Sequence, residues 1–170
     1  MSIVTTSDFV GQLMIAQIEQ ANVAVNVQRY IDMYEPEYLQ RALGYALYDV
    51  YRVQVALPTP NPVYVALRDG AVYTDYYGEQ RKYSGLKQAA AKYIYYHYLR
   101  DNSTFTTGSG EKTIDKGNAA NSVDKQVRSW NTMVRINKEL RAYIYANNAL
   151  FGSQSWQYNE MFHPINTLGL

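Results

Sequence analysis

Apolar residues recur at helical intervals over four stretches of the chain and lose that rhythm between them. Val23, Val27, Tyr30, Ile31 and Tyr34 fall at i, i+4, i+7, i+8 and i+11, which puts them on one face of a helix over residues 23–35. Pro36 has no amide to donate but fits the first turn of a helix, so the first helix should stop near Glu35 and a second begin after a sharp bend. Leu39, Leu43, Leu47, Val50 and Leu57 mark that second face over 36–57. Ser84 is a candidate N-cap for a third helix over 85–101, in which Leu86, Ala90, Tyr93, Ile94 and His97 share a face while Lys87 and Lys92 lie elsewhere. The most periodic stretch runs from Val127 through Trp130, Met133, Val134, Ile136, Leu140 and Tyr143 to Ile144, and predicts a helix over 125–147.

The intervening segments read differently. Residues 3–20 open with Thr5, Thr6, Ser7 and Asp8 and continue with Phe9, Gly11 and an apolar run, a pattern that strand and helix both fit. Pro58, Pro60 and Pro62 make a rigid connection. Residues 63–67 suit a short strand, and Asp69-Gly70 is a turn pair ahead of Ala71-Val72-Tyr73, so a small β-hairpin is expected near 63–78. Residues 101–126 are rich in Asn, Ser, Thr, Gly and Lys, with Phe105, Ile114, Ala119, Ala120 and Val123 as the apolar exceptions. Such a segment cannot order itself by burial, and is expected to be a long, flexible polar loop that orders against a partner. Beyond residue 150 the chain is broken by Gly152, Pro164 and Gly169 yet carries Phe151, Trp156, Tyr158, Phe162 and Leu168. The expected fold is therefore mainly α: a bundle of about four helices with a small β-hairpin and a long polar loop in residues 1–150, and an extended C-terminal docking tail over 151–170.

A chain of 170 residues leaves room for one compact domain, and 47% hydrophobic against 18% charged residues excludes general disorder. With 16 Lys plus Arg against 15 Asp plus Glu, there is no cationic surplus to bind a phosphate backbone by bulk charge. Cysteine is absent, which excludes disulfides, thiolate metal sites and cysteine nucleophiles and suits a reducing compartment. Arg29 is the first basic residue, so the positively charged opening of a secretory signal is missing and an unprocessed chain is expected. The uncharged stretch 142–159 contains Asn147, Asn148, Ser153, Gln154, Ser155, Gln157 and Asn159, too many polar groups for a membrane span. Tyrosine is the abnormal number: 18 residues, against four Phe and two Trp. Tyrosine buries like a hydrophobe while keeping a polar handle, and the excess points to interfaces.

No catalytic constellation emerges. Gly108-Ser109-Gly110-Glu111-Lys112-Thr113 resembles a phosphate-binding loop, but Glu111 intervenes before the lysine and the first glycine of the motif is missing. Tyr83 and Lys87 have the spacing of a short-chain dehydrogenase pair without the glycine-rich dinucleotide turn. His97 and His163 are far apart, with no carboxylates clustered near either, which indicates neither a metal site nor a triad. His97, among Tyr95, Tyr96 and Tyr98, reads as a packed or interfacial imidazole. Asp32, Glu35 and Glu37 read as carboxylates favoured by a helix N-terminus near Pro36. Asn102-Ser103-Thr104 fits a glycosylation acceptor, which would require secretion. Aromatics interleaved with Arg81, Lys82, Lys87, Lys92 and Arg100 would serve a monomeric binding module for single-stranded nucleic acid or carbohydrate.

The block Tyr38-Leu39-Gln40-Arg41-Ala42-Leu43-Gly44-Tyr45-Ala46-Leu47-Tyr48 resembles the early helix of head-tail connector (adaptor, neck-ring) proteins of tailed bacteriophages. Tyr83-Ser84-Gly85-Leu86-Lys87, the tyrosine-rich Tyr93-Ile94-Tyr95-Tyr96-His97-Tyr98-Leu99-Arg100, the loop over 103–112 and Trp130-Asn131 are similar to the version found in phages of Bacteroides-type hosts, including the crAss-like group. In order and spacing these blocks cover most of residues 30–145. The resemblance implies a non-enzymatic, cofactor-free helical subunit that closes into a ring, typically a dodecamer, beneath the portal protein. Genomic DNA would pass through the lumen and a further neck or tail protein would sit below, in a virion assembled in the bacterial host cytoplasm. The proline connection and the long tail depart from the minimal pattern. On this reading Tyr95, Tyr98, Phe105, Ile114, Phe151, Trp156, Tyr158, Phe162 and Leu168 are the expected partner interface.

Overall fold

The structure is a computed structural model that describes residues 2–102, 104–107, 110–113, 116–152 and 159–166, with backbone elements alone over 104–122. Two 3-10 turns, Thr6–Asp8 and Gly11–Leu13, precede helices α1 (Ala21–Leu43), α2 (Tyr45–Val55) and α3 (Pro62–Asp69). An antiparallel pair, β1 (Ala71–Thr74) and β2 (Gln80–Tyr83), leads to α4 (Leu86–Asp101). A second pair, β3 (Thr104–Thr107) and β4 (Gly110–Thr113), precedes the long α5 (Lys116–Ala146), then the short α6 (Asn148–Phe151) and a 3-10 turn at Glu160–Phe162. The chain is mainly α-helical, as its periodicity predicts.

Three expectations are corrected. First, α1 runs straight through Pro36 and ends at Gly44, whose φ of +74° allows the break and whose amide caps Gln40. An internal proline costs about 3 kcal/mol. Continuous burial of Val27, Ile31, Tyr38, Leu39, Ala42 and Leu43 along one face offsets it. Second, residues 62–69 form a helix rather than a strand: the Asn61 side chain accepts from the Val63 amide at 3.0 Å and Pro62 takes the first helical position. The hairpin therefore lies further on, pairing Ala71 with Tyr83 through Thr74 with Gln80, and Gly70 terminates α3 instead of turning a hairpin. Third, the helix expected over 125–147 starts earlier, at Lys116, and the polar loop before it carries the β3–β4 pair. The flexibility expected of 101–126 falls mostly on residues 103–122, whose side chains lie outside the described residues.

α4 is the central element, burying Leu86, Ala89, Ala90, Tyr93 and Ile94 between α1 and α5. From α5 come Trp130, Met133, Val134, Ile136, Leu140, Tyr143 and Ile144, so that predicted face is the core. Ser84, expected as a cap, instead donates its amide and hydroxyl to Glu139 at 3.1 and 2.7 Å, tying the entrance of α4 to α5.

Residues 159–166 strap back over this bundle. Met161 is fully buried, Trp130 Nε1 donates to the His163 carbonyl at 2.9 Å, and Asn131 exchanges two hydrogen bonds of 2.8 Å with the Ile165 backbone. Asn137, also fully buried, accepts from the Tyr38 hydroxyl at 2.7 Å and donates to the Met161 carbonyl at 2.9 Å. Asn159 donates to the Arg41 carbonyl at 2.8 Å, and the Arg41 guanidinium pairs with Glu160. This part of the expected docking tail is seated on the chain's own core.

Candidate interaction surface

Most tyrosines serve the interior. Tyr34 stacks on His97 with centroids 4.0 Å apart and planes 10° apart, while Tyr93 and Tyr96 meet the same imidazole edge-on at 4.5 and 5.1 Å. Tyr93 and Tyr96 continue to Trp130, and Tyr38 lies against Tyr93. Burial raises the Tyr93 phenol pKa, reinforced by its hydrogen bond to Glu37 at 2.8 Å. Neither His97 nitrogen has a protein partner, and burial, with the nearby Arg100 charge, lowers its pKa to about 4. His97 is thus a neutral, packed ring at neutral pH.

The exposed aromatic surface is elsewhere. At the β1–β2 tip, Tyr76 and Tyr77 are 82% and 84% exposed, with rings edge-to-face at 5.5 Å. Asp75 builds this turn: its carboxylate accepts from the amides of Tyr77 and Glu79, both at 2.9 Å, and from Arg81 Nε at 3.0 Å. Arg81, with those amides, holds the Asp75 carboxyl below its usual range. Gly78 at φ +82° completes the turn. The base is equally fixed, because Tyr83 stacks on Tyr143 at 4.9 Å and donates to the Leu67 carbonyl at 3.0 Å. A Cβ on Gly70 would stand 2.6 Å from the Tyr83 carbonyl oxygen, so the strand and the end of α3 touch backbone to backbone. The hairpin presents two aromatic rings from a rigid support.

A second apolar patch lies on α2. Its inner face buries Leu47, Tyr51 and Val55, while Val50, Val53 and Leu57, the last just beyond the helix, are each about half exposed beside a largely exposed Tyr45. An isolated exposed apolar residue needs no explanation, but a row of them at helical spacing marks a contact face.

The expected interface residues scatter. Tyr95, 3% exposed, and Phe151, 6% exposed and packed on Tyr64 and Tyr143, belong to the core, which corrects the expectation that they face a partner. Tyr98 is half-buried against Tyr30, and Phe162 is half-buried in the strap. Phe105 lies on β3 opposite Lys112, its side chain outside the described residues, as are Ile114, Trp156, Tyr158 and Leu168. Sequence reasoning missed Tyr76 and Tyr77, although Asp75 three residues before Gly78 carries a turn signal of its own. Glu35 is also corrected: it sits mid-helix, 5% exposed, and accepts from the Ile3 and Val4 amides rather than facing a helix N-terminus. Tyr83 and Lys87 do not pair, since Lys87 bonds Asp8 at 2.9 Å.

Among the described residues no three His, Asp or Glu side chains are grouped to hold a metal ion, and no helix is long and apolar enough to cross a membrane. No protein-family model, curated protein or solved structure matches this chain.

Proposed function

We propose that this chain is a structural ring subunit of a bacteriophage neck, joining the capsid portal to the tail around the DNA passage. The observation that carries the reading is the presence of two unlike exposed apolar patches on different elements: the rigid Tyr76/Tyr77 knob and the α2 row Val50, Val53 and Leu57. A ring of identical subunits is built from heterologous contacts, one patch on each copy meeting a different patch on the next, and closure prevents filament growth. The connector resemblance over residues 30–145 supplies the setting: a dodecameric ring, the portal protein on one side, a further neck or tail protein on the other, in the virion. Near-neutral charge suits a passage through which DNA must slide, because a dense basic lining would retain phosphates.

The rival, a monomeric module for bases or sugars, needs unpaired cations beside its aromatics. Instead Arg81 bonds Asp75 and Glu79, Lys87 bonds Asp8 and Arg100 bonds Asp101. Three of the five cations on which that reading rests are thus answered by the chain's own carboxylates, while among the described residues Lys82 has no carboxylate partner and Lys92 donates only to Gln12.

Negative-stain imaging with and without the portal tests the reading, using the chain and its Tyr76→Ser/Tyr77→Ser double variant. Rings on portals are expected for the first and their loss for the second, with unchanged circular dichroism. A chain that ignores portals and binds oligonucleotide or glycan as a monomer overturns it. Point variants are the cleaner probe, because truncation at Gly152 would remove Met161 from the core.

A further inference from the structure

Residues 2–15 contain no element longer than a 3-10 turn, yet they give Ile3, Val4, Phe9, Leu13 and Ile15 to the core, none more than 9% exposed. Discrete contacts hold this arm. The Glu35 carboxylate accepts from the Ile3 amide at 3.0 Å, the Val4 amide at 2.8 Å and Ser2 Oγ at 2.6 Å. Lys87 pairs with Asp8, and Lys92 Nζ donates to Gln12 at 3.5 Å. Between Ile15 and the start of α1 runs a short link in which Ala16, Gln17, Glu19 and Gln20 are exposed. Gln17 is held at φ +60°, the single non-glycine among the described residues in the left-handed region. A residue with a Cβ is strained there.

We propose that residues 2–15 are an exchangeable arm, which at high concentration leaves its own groove and seats in the same groove of a second copy of this chain. Short hinges under strain invite such exchange, because opening lets the hinge residue return to extended backbone. The link gives up the Gln20 amide's bond to the Gln17 carbonyl at 2.9 Å and the packing of Ile18, but the arm itself keeps its contacts. Every contact it makes at home, including the two amides delivered to Glu35, is reproduced on a second copy whose groove is identical. The occupant is fixed by the same reasoning: a groove built around this segment is complementary to this segment. Exchange costs association entropy, which concentration offsets by mass action. The inference does not rest on the neck reading, since it needs only two copies; within a ring it would stitch each subunit to its neighbour.

The chain has no cysteine, so Gln12→Cys together with Lys92→Cys supplies two unique thiols, one on the arm and one beside its groove. The double variant is refolded at low and high concentration, monomer and oligomer are separated by size, and each is treated with a short bismaleimide and run on a denaturing gel. The expected result is an intrachain link in the monomer and covalent dimers or larger species in the oligomer. Gln17→Pro, which cannot hold positive φ, should raise the oligomer fraction several-fold, and Gln17→Gly, which holds it without strain, should lower it. Oligomers with intrachain links alone, no oligomer at any concentration, or one oligomer fraction across the hinge variants would overturn the proposal. If Gln17→Pro fails to fold, Gln17→Gly against the unaltered hinge decides. Portal binding is not read in this experiment, so either proposal can fail while the other stands.

Discussion

Tyr93 and Tyr76 are the same residue type in opposite service. Around Tyr93 the layer between α1, α4 and α5 is closely packed, its rings within about 6 Å of one another and its hydroxyls answered by protein groups: Tyr38 by Asn137, Tyr93 by Glu37. At the hairpin tip the rings of Tyr76 and Tyr77 touch little but each other, and the backbone alone, organised by Asp75, fixes where they point. Tyr45, Tyr76, Tyr77 and Tyr145 are the large exposed tyrosines among the described residues, while Tyr38, Tyr51, Tyr83, Tyr93, Tyr95, Tyr96 and Tyr143 are buried. The tyrosine excess is therefore mostly a core built from amphipathic rings, and only its small remainder faces outward. Composition counts both kinds alike.

The contrast can be broken most directly by truncation. Tyr93→Ala should cost ~3–5 kcal/mol in denaturant unfolding, the range for deleting a buried aromatic ring, whereas Tyr76→Ala should stay within ~0.5 kcal/mol. Equal losses would mean that the hairpin tip is structural. Acid should strike the buried layer next. An unfolded His97 titrates near 6.5 and the folded one near 4, so the unfolded state binds the proton first. Stability is then fully present above about pH 6.5 and falls by ~2–3 kcal/mol as pH drops toward 4. Arg41 and Glu37 on α1 and Arg100 and Asp101 on α4 are the charges facing the ring, with the two cations opposing protonation and the two carboxylates favouring it. His97→Phe should flatten that slope in unfolding measured across pH; an unchanged slope would assign acid sensitivity to carboxylates instead.

A finer pair of substitutions separates answered from unanswered hydroxyls within the core. Tyr38→Phe leaves the Asn137 carbonyl oxygen unpaired and should cost ~1–2 kcal/mol. Tyr51→Phe removes a hydroxyl with no protein partner and should be neutral or slightly stabilising in the same assay. The smallest stability effect belongs to Tyr76→Ser/Tyr77→Ser, within ~0.5 kcal/mol of the parent, paired with the largest effect on ring assembly.

The helical faces were legible because burial repeats. Val127 to Ile144 and Leu86 to His97 carry enough apolar positions that no other element could hide them. Pro36 misled because its local penalty is real, and only the buried row continuing through Leu43 outweighs it. Residues 62–69 were readable after all: an Asn-Pro pair is a cap followed by a first helical residue, although the β-branched valines beside it suggest a strand. Lys116 as a helix start carries no apolar signal, since α5 opens polar. The exposed patches were the least visible. Val50 and Leu57 fit one helical face with Leu47, and only the three-dimensional packing divides α2 into an inner face and an outer row. Long-range satisfaction, such as Glu35 receiving residues 3 and 4, has no sequence signature of its own.

Asn137 also sets a timetable. Its amide joins Tyr38, made early, to the carbonyl of residue 161, made more than a hundred residues later. During synthesis α1, α4 and α5 can emerge and collapse, but the Asn137 NH₂ then lacks its protein acceptor, beside the gap left for the Met161 side chain. A nascent chain cannot close its interior before residue 161 has been added. Premature termination even a few residues upstream would release a product with every helix present and the centre unfinished, a natural substrate for quality-control proteolysis.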